Sequence, residues 1–229
     1  MKILTNIYQY PTLKRNDSPN GRTYNTPLDD VALPSVTTIL SATKSAEDKK
    51  KLDDWRKKVG EEEATKIVNE STYIGEHLHK NLENYMLGIS DRTGPLISKI
   101  MTDIIINNGL THVDEVWGIE ASLYYPGLYA GTSDLIGVHK SLPSIMDFKN
   151  SRKNKKKEWI TEYKLQLAAY SEAHNKLFNT NIKGGIIMMA TRDLTYLEFE
   201  ITGKEFQDSC DEWHRRVEKY YNMKLKDNG

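Results

Sequence analysis

Between residues 116 and 151 lies a stretch whose turn signals allow little other than three consecutive β-strands, with carboxylates at positions that a hairpin register sets side by side. Residues 116–125 are rich in aromatic and β-branched side chains and stop at Pro126-Gly127. Residues 129–138 follow, a second break lies around 141–144, and 145–150 close the set. A turn centred on Gly127 sets Glu120 opposite Asp134, and a connection centred between Lys140 and Ser141 sets Asp134 opposite Asp147. The three carboxylates then form a row across one sheet face. Lys149 joins them, because side chains two apart in a strand point the same way.

Like charges directly opposed on a sheet destabilise it. A row of three makes poor sense as scaffold and good sense around a divalent cation, since Mg²⁺ and Mn²⁺ take carboxylate oxygens and cancel the repulsion. A lysine beside such a cluster can bind a phosphate oxygen or, with a depressed pKa, help to activate water. The competing reading is a solvated polar face on an edge hairpin.

Length and composition bound the rest. The 229 residues suit one domain of ordinary to large size, or a core with a helical appendage, with 38% hydrophobic and 28% charged residues and a net charge of zero. The molecule as a whole therefore offers no attraction for a polyanion, and any nucleic-acid grip must come from local clusters. The single cysteine, Cys210, excludes an internal disulfide and a four-cysteine cluster built within this chain. No run reaches a membrane span and the amino-terminal pattern is not that of a signal peptide, so a soluble protein in a reducing, cytoplasmic setting is expected; a monomer is expected as well.

Along the chain, residues 1–34 are turn-rich and predict a short hairpin or extended arm. In Pro34-Ser35-Val36-Thr37-Thr38-Ile39-Leu40, Ser35 stands where a helix N-cap is expected. A charged helix over 44–58 carries Leu52, Trp55 and Val59 at helical spacing, with a solvated face. The longest helix spans 61–87, with Ile67, Ile74, Leu78, Leu82 and Tyr85 as its apolar stripe and Gly75 inside it as a sign of close packing. His79 follows Gly75 by one turn, and Glu83 follows His79. Another helix covers 94–108 and ends at Asn108-Gly109.

After the strands, residues 149–157 carry six basic residues in nine, ordinarily a solvated loop; starting at the carboxylate row, it becomes a candidate phosphate grip through Arg152, Lys153, Lys155, Lys156 and Lys157. A helix over 158–177 places Gln166 and Tyr170 one turn apart. The near-continuous apolar run over 182–191 predicts a strand buried on both faces, 196–201 an outer strand, and 204–225 an amphipathic closing helix.

Four motifs in this order are Gly75-Glu76-His77-Leu78-His79 with Leu82-Glu83, Gly131-Thr132-Ser133-Asp134, Asp147-Phe148-Lys149, and Gln166-Leu167-Ala168-Ala169-Tyr170. In them the chain resembles PD-(D/E)XK nucleases of the RecB-like type, and within these the phage and mitochondrial genome-maintenance exonucleases. The resemblance runs from about Pro34 to Tyr170. Asp134 follows a serine rather than proline, and cysteines for an iron–sulfur cluster are lacking, unlike CRISPR-adaptation and AddB-type relatives.

The resemblance implies an α/β restriction-endonuclease-like core, a mixed β-sheet flanked by helices. Residues 1–34 would be an arm, 35–110 a helical arch carrying the histidine motif, and 111–229 the nuclease core. It implies a Mg²⁺ or Mn²⁺ site held by His79, Asp134, Asp147 and the Phe148 carbonyl, with Lys149 catalytic and Gln166 and Tyr170 contacting the scissile strand or orienting the lysine. The register adds Glu120 as a ligand or water-holder. Implied in turn are metal-assisted phosphodiester hydrolysis at DNA ends, on single strands, and a setting in replication, recombination or repair, phage-encoded, beside a single-strand annealing, binding or replication protein. Trp55, Tyr73 and Tyr85 are placed to stack bases under an arch or to pack as core. The alternatives are a structure-specific or restriction-type endonuclease and an inactive DNA-end-binding module.

Overall fold

The computed structural model describes residues 4, 5 and 7–227; the remaining positions of the expected arm and carboxyl-terminal end lie outside the described residues. Near the amino terminus β1 (Lys14–Ser18) and β2 (Gly21–Asn25) form an antiparallel hairpin, extended by the two residues of β3 (Leu33–Pro34). Helices α1 (Val36–Thr43), α2 (Ala46–Val59), α3 (Glu61–Met86) and α4 (Leu96–Asn108) follow. Then come β4 (Val113–Tyr125), β5 (Tyr129–His139), β6 (Leu142–Ser151), α5 (Thr161–Phe178), β7 (Gly184–Thr191), β8 (Tyr196–Thr202) and α6 (Gly203–Asp227).

The five strands β4 to β8 form one mixed sheet in sequence order, antiparallel except where β6 runs parallel to β7. Only that parallel step needs a crossover, and α5 provides it. The alternation of each strand sends its side chains into two cores. Leu135, Met146, Phe148, Ile186 and Met188 pack with Ile74, Leu78, Leu82, Met101 and Ile105 of α3 and α4. Ile136, Ile145, Ile187, Met189 and Ile201 pack on the other side with Ile39 of α1, Leu165 and Ala169 of α5 and Trp213 of α6. The sheet is thus covered by helices on both faces, and the apolar run of β7 is buried throughout, as a central strand requires.

Two details differ from the sequence reading. β6 begins at Leu142, inside the expected break, because the turn is only Lys140-Ser141 with both residues at positive φ (46° and 65°), the geometry of a tight two-residue hairpin. Neither residue is the glycine or asparagine that usually marks such a turn. The Ser141 amide donates to Asp114 Oδ2 at 2.7 Å, which helps to hold it. Pro143 is tolerated in this strand because pairing with β7 starts only at Ile145. In α3, Ile67 is half-buried and the closely packed part of the stripe runs from Ile74 to Met86; α2 carries no buried residue at all.

The segment before β1 is held by aromatic packing. Tyr8 and Tyr10 lie against Trp117, His174 and Phe178, with the Tyr8 ring 4.8 Å from that of His174. Thr180 Oγ1 already donates to Asn175, so it accepts from His174 Nδ1–H at 2.8 Å, and Nε2 is left to accept from the Tyr10 hydroxyl at 3.2 Å. The neutral imidazole is thereby fixed in one tautomer, and burial pushes its pKa down to about 4. A depressed folded-state pKa contributes stability above the unfolded value of 6.5 that is lost as pH falls toward 4. Acidification across that window will cost on the order of 2 kcal/mol, read as a falling urea midpoint, and His174→Gln will flatten the dependence.

Candidate active site

The site forms where β5 and β6 part company. Their ladder runs from His139↔Leu142 to Leu135↔Met146 and stops one residue short of the expected Asp134–Asp147 pair. Beyond that point the Asp134 side chain replaces the missing backbone acceptor: its Oδ2 accepts the Phe148 amide at 2.8 Å. The other oxygen lies 3.4 Å from His79 Nδ1, on α3. The two aspartates are thus neighbours across a widening gap and not a paired row.

On the other side of β5 the expected register is present, since Ile119↔Leu135 and Ala121↔Ser133 flank Glu120 and set it opposite Asp134. Glu120 has φ +45°, a left-handed conformation in the middle of a strand that disfavours any side chain. The strained residue projects its carboxylate to 4.0 Å from His79 Nδ1. One ligand atom from each of His79, Glu120 and Asp134 lies within 4.8 Å of the others.

Asp147 is not one of this trio, but its charge acts on both Asp134 and His79. Its Oδ2 is buried, 2.6 Å from Lys149 Nζ, and accepts no well-aligned hydrogen bond. Lys149 Nζ also donates to Gln166 Oε1 at 3.3 Å and lies 5.0 Å from the centre of the Tyr163 ring. Gln166 and Tyr163 are one turn apart on α5, so one helix face aims the ammonium. Tyr170, the next turn on, is buried, and its ring lies against Gly131: a β-carbon there would meet the ring and hydroxyl at 2.8 Å. Two sequence motifs separated by a strand and a loop are therefore one steric unit, in which the glycine makes room for the tyrosine. Tyr170 is packed against Gly131 and, being buried, presents no exposed stacking surface.

Gly75 marks an analogous close approach. A β-carbon at Gly75 would lie 3.0 Å from Asn150 Oδ1, and the Asn150 amide donates to the Ser71 carbonyl at 3.0 Å. This contact ties the turn of α3 before His79 to the strand that carries Asp147 and Lys149. Phe148 contributes its amide to Asp134 and its ring, edge-on at 6.2 Å, to His79. Asn150 and Tyr163 were not singled out from the sequence; Asn150 directly follows the Asp147-x-Lys149 motif, and Tyr163 lies one turn before Gln166, which are the signals that point to them.

Electrostatics follow from this crowding. Burial would lower the His79 pKa, but the Asp134 carboxylate outweighs it and lifts the imidazole to about 9. Burial would raise Asp134, and the charge of the same imidazole, with help from Lys149 and the Phe148 amide, brings it below the ordinary value. Burial pushes Asp147 up to about 6 against the pull of Lys149, and pushes Glu120 up to about 7 with Asp134 adding repulsion. Lys149 is raised: burial opposes its charge, but Asp147 and Asp134 more than compensate. The carboxylates around it thus favour the ammonium form.

An imidazole and carboxylates, two of them reluctant to ionise, make a donor set suited to a hard divalent cation such as Mg²⁺ or Mn²⁺. The cluster opens on a cavity of ≈ 740 Å³ whose walls include Gly75, Glu76, His79 and Glu83 of α3, with Glu120, Asn150 and Tyr163. The basic loop beyond β6 is partly engaged: Arg152 pairs with Glu70 at 3.3 Å and Lys157 with Glu205 at 2.6 Å, while Lys155 and Lys156 lie over the rings of Tyr163 and Trp159. Lys153 is exposed. Of the aromatic candidates, Tyr73 is 53% exposed and Trp55 and Tyr85 are half-buried.

Two outcomes are expected. Glu120→Gly, which relieves both backbone strain and charge, will melt higher in metal-free buffer than Glu120→Gln, by up to about 1 kcal/mol. Equal melting would mean that the left-handed backbone is not strained. For the wild type, Asp147 and Glu120 have folded pKa values of about 6 and 7, above their ordinary 3.8 and 4.5. Their contribution is present below the ordinary values and lost as pH rises through 6 to 7, and His79 acts in the same sense up to about 9. Metal-free stability will fall across this range, and the rise in melting temperature on adding Mn²⁺ will grow across it, as ligands are freed of protons. A Mn²⁺ increment independent of pH would count against these ligands.

No family model matches the chain. Over 211 residues it is 26% identical to mitochondrial genome maintenance exonuclease 1 of Mus musculus, covering 85% of this chain and 60% of that protein. The same-named proteins of Xenopus tropicalis and Homo sapiens are 27% identical over 179 residues and 23% identical over 235 residues. The chain spans 49% and 67% of those two lengths. A solved chain from Eubacterium rectale, described as a candidate exonuclease, aligns over 68% of this chain and 66% of its own at 14% identity and a TM-score of 0.46, too loose a likeness to carry an argument.

Proposed function

We propose that the chain is a metal-dependent deoxyribonuclease with a PD-(D/E)XK core that hydrolyses phosphodiester bonds from DNA ends, with single strands as substrate. The observation that carries this reading is the convergence of His79, Glu120 and Asp134 beside the Asp147–Lys149–Gln166 chain, with His79 and Glu120 lining one cavity. Similarity to proteins named exonucleases supports it. Crowded carboxylates and a glutamate on strained backbone cost the fold stability, and a catalytic role gives a reason for that cost where a scaffold role gives none.

His79, Glu120, Asp134 and Asp147 are the residues that hold the cation, with the Phe148 peptide alongside. When bound, such a cation supplies Lewis acidity at the phosphoryl oxygens and lowers the pKa of coordinated water. Lys149 keeps its proton and directs positive charge at the oxygens that become more negative as the pentavalent phosphorus develops. Gln166 and Tyr163 fix its direction, and Gly131 with Tyr170 fixes the helix that carries them. Glu120 orients the attacking water or completes the ligand set. Lys153, Lys155 and Lys156 hold the backbone leaving the site. Work in replication, recombination or repair, beside a single-strand binding or annealing protein, fits such an activity.

Linear and circular single-stranded DNA incubated with Mg²⁺ or Mn²⁺ test the reading. Loss of the linear form alone is expected. Lys149→Ala and Asp134→Ala will each lower the rate by about 10³-fold or more while circular dichroism stays native. Cutting of both forms would establish an endonuclease, and binding of DNA without cutting either form or duplex would establish an end-binding module.

A further inference from the structure

The β1–β2 hairpin has no part in the chemistry described so far, yet Arg15 and Arg22 line the same cavity as His79, Glu83 and Glu120. In the hairpin register Arg15 pairs with Tyr24 and Asp17 with Arg22, so all four side chains share one face. Tyr24 is buried against Leu13, Leu33, Tyr124 and Ala130, the residue before Gly131, and this turns the shared face toward the site. Asp17 accepts from Arg15 Nε and Nη2 at 2.7 and 3.1 Å and from Arg22 Nε at 3.0 Å. One carboxylate thus holds two guanidinium groups together and leaves a net positive charge. Arg15 Nη1 and both terminal nitrogens of Arg22 have no hydrogen-bond partner among the described residues.

The backbone of Arg22 is fixed at both ends by the motif that opens α1. Its amide donates to Thr38 Oγ1 at 2.9 Å; its carbonyl accepts from Thr38 Oγ1 at 2.9 Å and from the Ser35 amide at 2.8 Å. Gly21, at φ +112°, lets the hairpin approach this closely, since a β-carbon there would meet the Thr38 side chain at 2.6 Å. The Pro34-Ser35-Val36-Thr37-Thr38 motif therefore caps a helix and also positions an arginine.

We propose that Arg15 and Arg22 form a phosphate-binding site that grips the DNA backbone at an internal phosphodiester other than the one being cut; this rests on the nuclease reading above. Paired planar donors in a fixed orientation match phosphate oxygens, which a single mobile lysine does not. Glu76 and Glu83 of α3 line the same cavity and repel a phosphate backbone, which leaves the two arginines as its partners there. Thr38 is a positioning residue for Arg22.

The test measures steady-state cleavage of linear oligonucleotides carrying single methylphosphonate linkages at successive positions, in Mn²⁺. Arg22→Ala and Arg15→Ala will each raise KM about tenfold, change kcat by less than about threefold and reduce the slope of affinity against salt by about 1. Arg22→Lys will recover the salt slope but not KM, because it keeps charge without the fork. In the wild type one neutral linkage away from the cut will raise KM, and Arg22→Ala will be indifferent to that linkage. Thr38→Val will raise KM in the wild type and add nothing to Arg22→Ala. Unchanged KM in the arginine variants, with the wild type binding and cutting, overturns this site alone. An effect confined to substrates with a phosphorylated end would overturn the internal-phosphodiester assignment in favour of a terminal phosphate pocket. A wild type that neither binds nor cuts removes the nuclease reading, and this site with it.

Discussion

One hydrogen bond organises the site: the Phe148 amide donating to the Asp134 carboxylate where the β5–β6 ladder ends. A strand that leaves its partner exposes amides that must find another acceptor. Here a side chain supplies it, so the strands separate without an orphaned donor. The opening lets His79 reach Asp134 from a helix that packs on the sheet's other face from α5. It also places a carboxylate in fixed orientation, with one oxygen engaged and the other turned to the cluster. Removal of that carboxylate changes both the charge and the geometry of the gap.

The helices serve this gap from two sides. α3 brings His79 across the sheet, and the Gly75–Asn150 approach fixes how closely it lies on β6. α5 brings Tyr163 and Gln166 to Lys149, and the Gly131–Tyr170 approach fixes how closely it lies on β5. Each glycine thus sets a distance between a helix and a strand, and the two distances together determine where the imidazole and the ammonium stand relative to the carboxylates. Close backbone approach gives a precision that long, mobile side chains alone would not.

The electrostatic state follows from having more carboxylates than cations in the cluster. Asp134 is satisfied by His79 and the Phe148 amide, and Lys149 goes mainly to Asp147. Glu120 is left on a strained backbone with an elevated pKa. Such an imbalance is unfavourable for a resting protein and favourable for one that acquires a divalent cation, because the same repulsion that destabilises the empty cluster is relieved by binding. The amino-terminal hairpin continues the theme with opposite sign, its two arginines sharing one aspartate at the rim of the same cavity.

Short-range rules carried much of this. Turn residues and strand alternation were enough to set Glu120 opposite Asp134, to bring Asp147 and Lys149 onto one strand face, to cap α1 with Ser35 and to mark β7 as central, because each depends on residues a few positions apart. What they missed depends on distance in the chain. The ladder's end before Asp134 comes from the paths of whole strands, so Asp134 and Asp147 are not a ladder pair, and His79 and Lys149 join the carboxylates from either side. The centre of the β5–β6 turn between Lys140 and Ser141 was legible, but not that it is only two residues long, because its backbone is held by Asp114, outside the turn itself. The seating of Tyr170 on Gly131 and of Arg22 on Thr38 joins segments that no periodicity relates. Sequence alone determined which strands and helices form and which charged residues share a face. Tertiary structure decided which of those charges meet, because burial and the separation of strands are properties of the packed sheet and not of any local run.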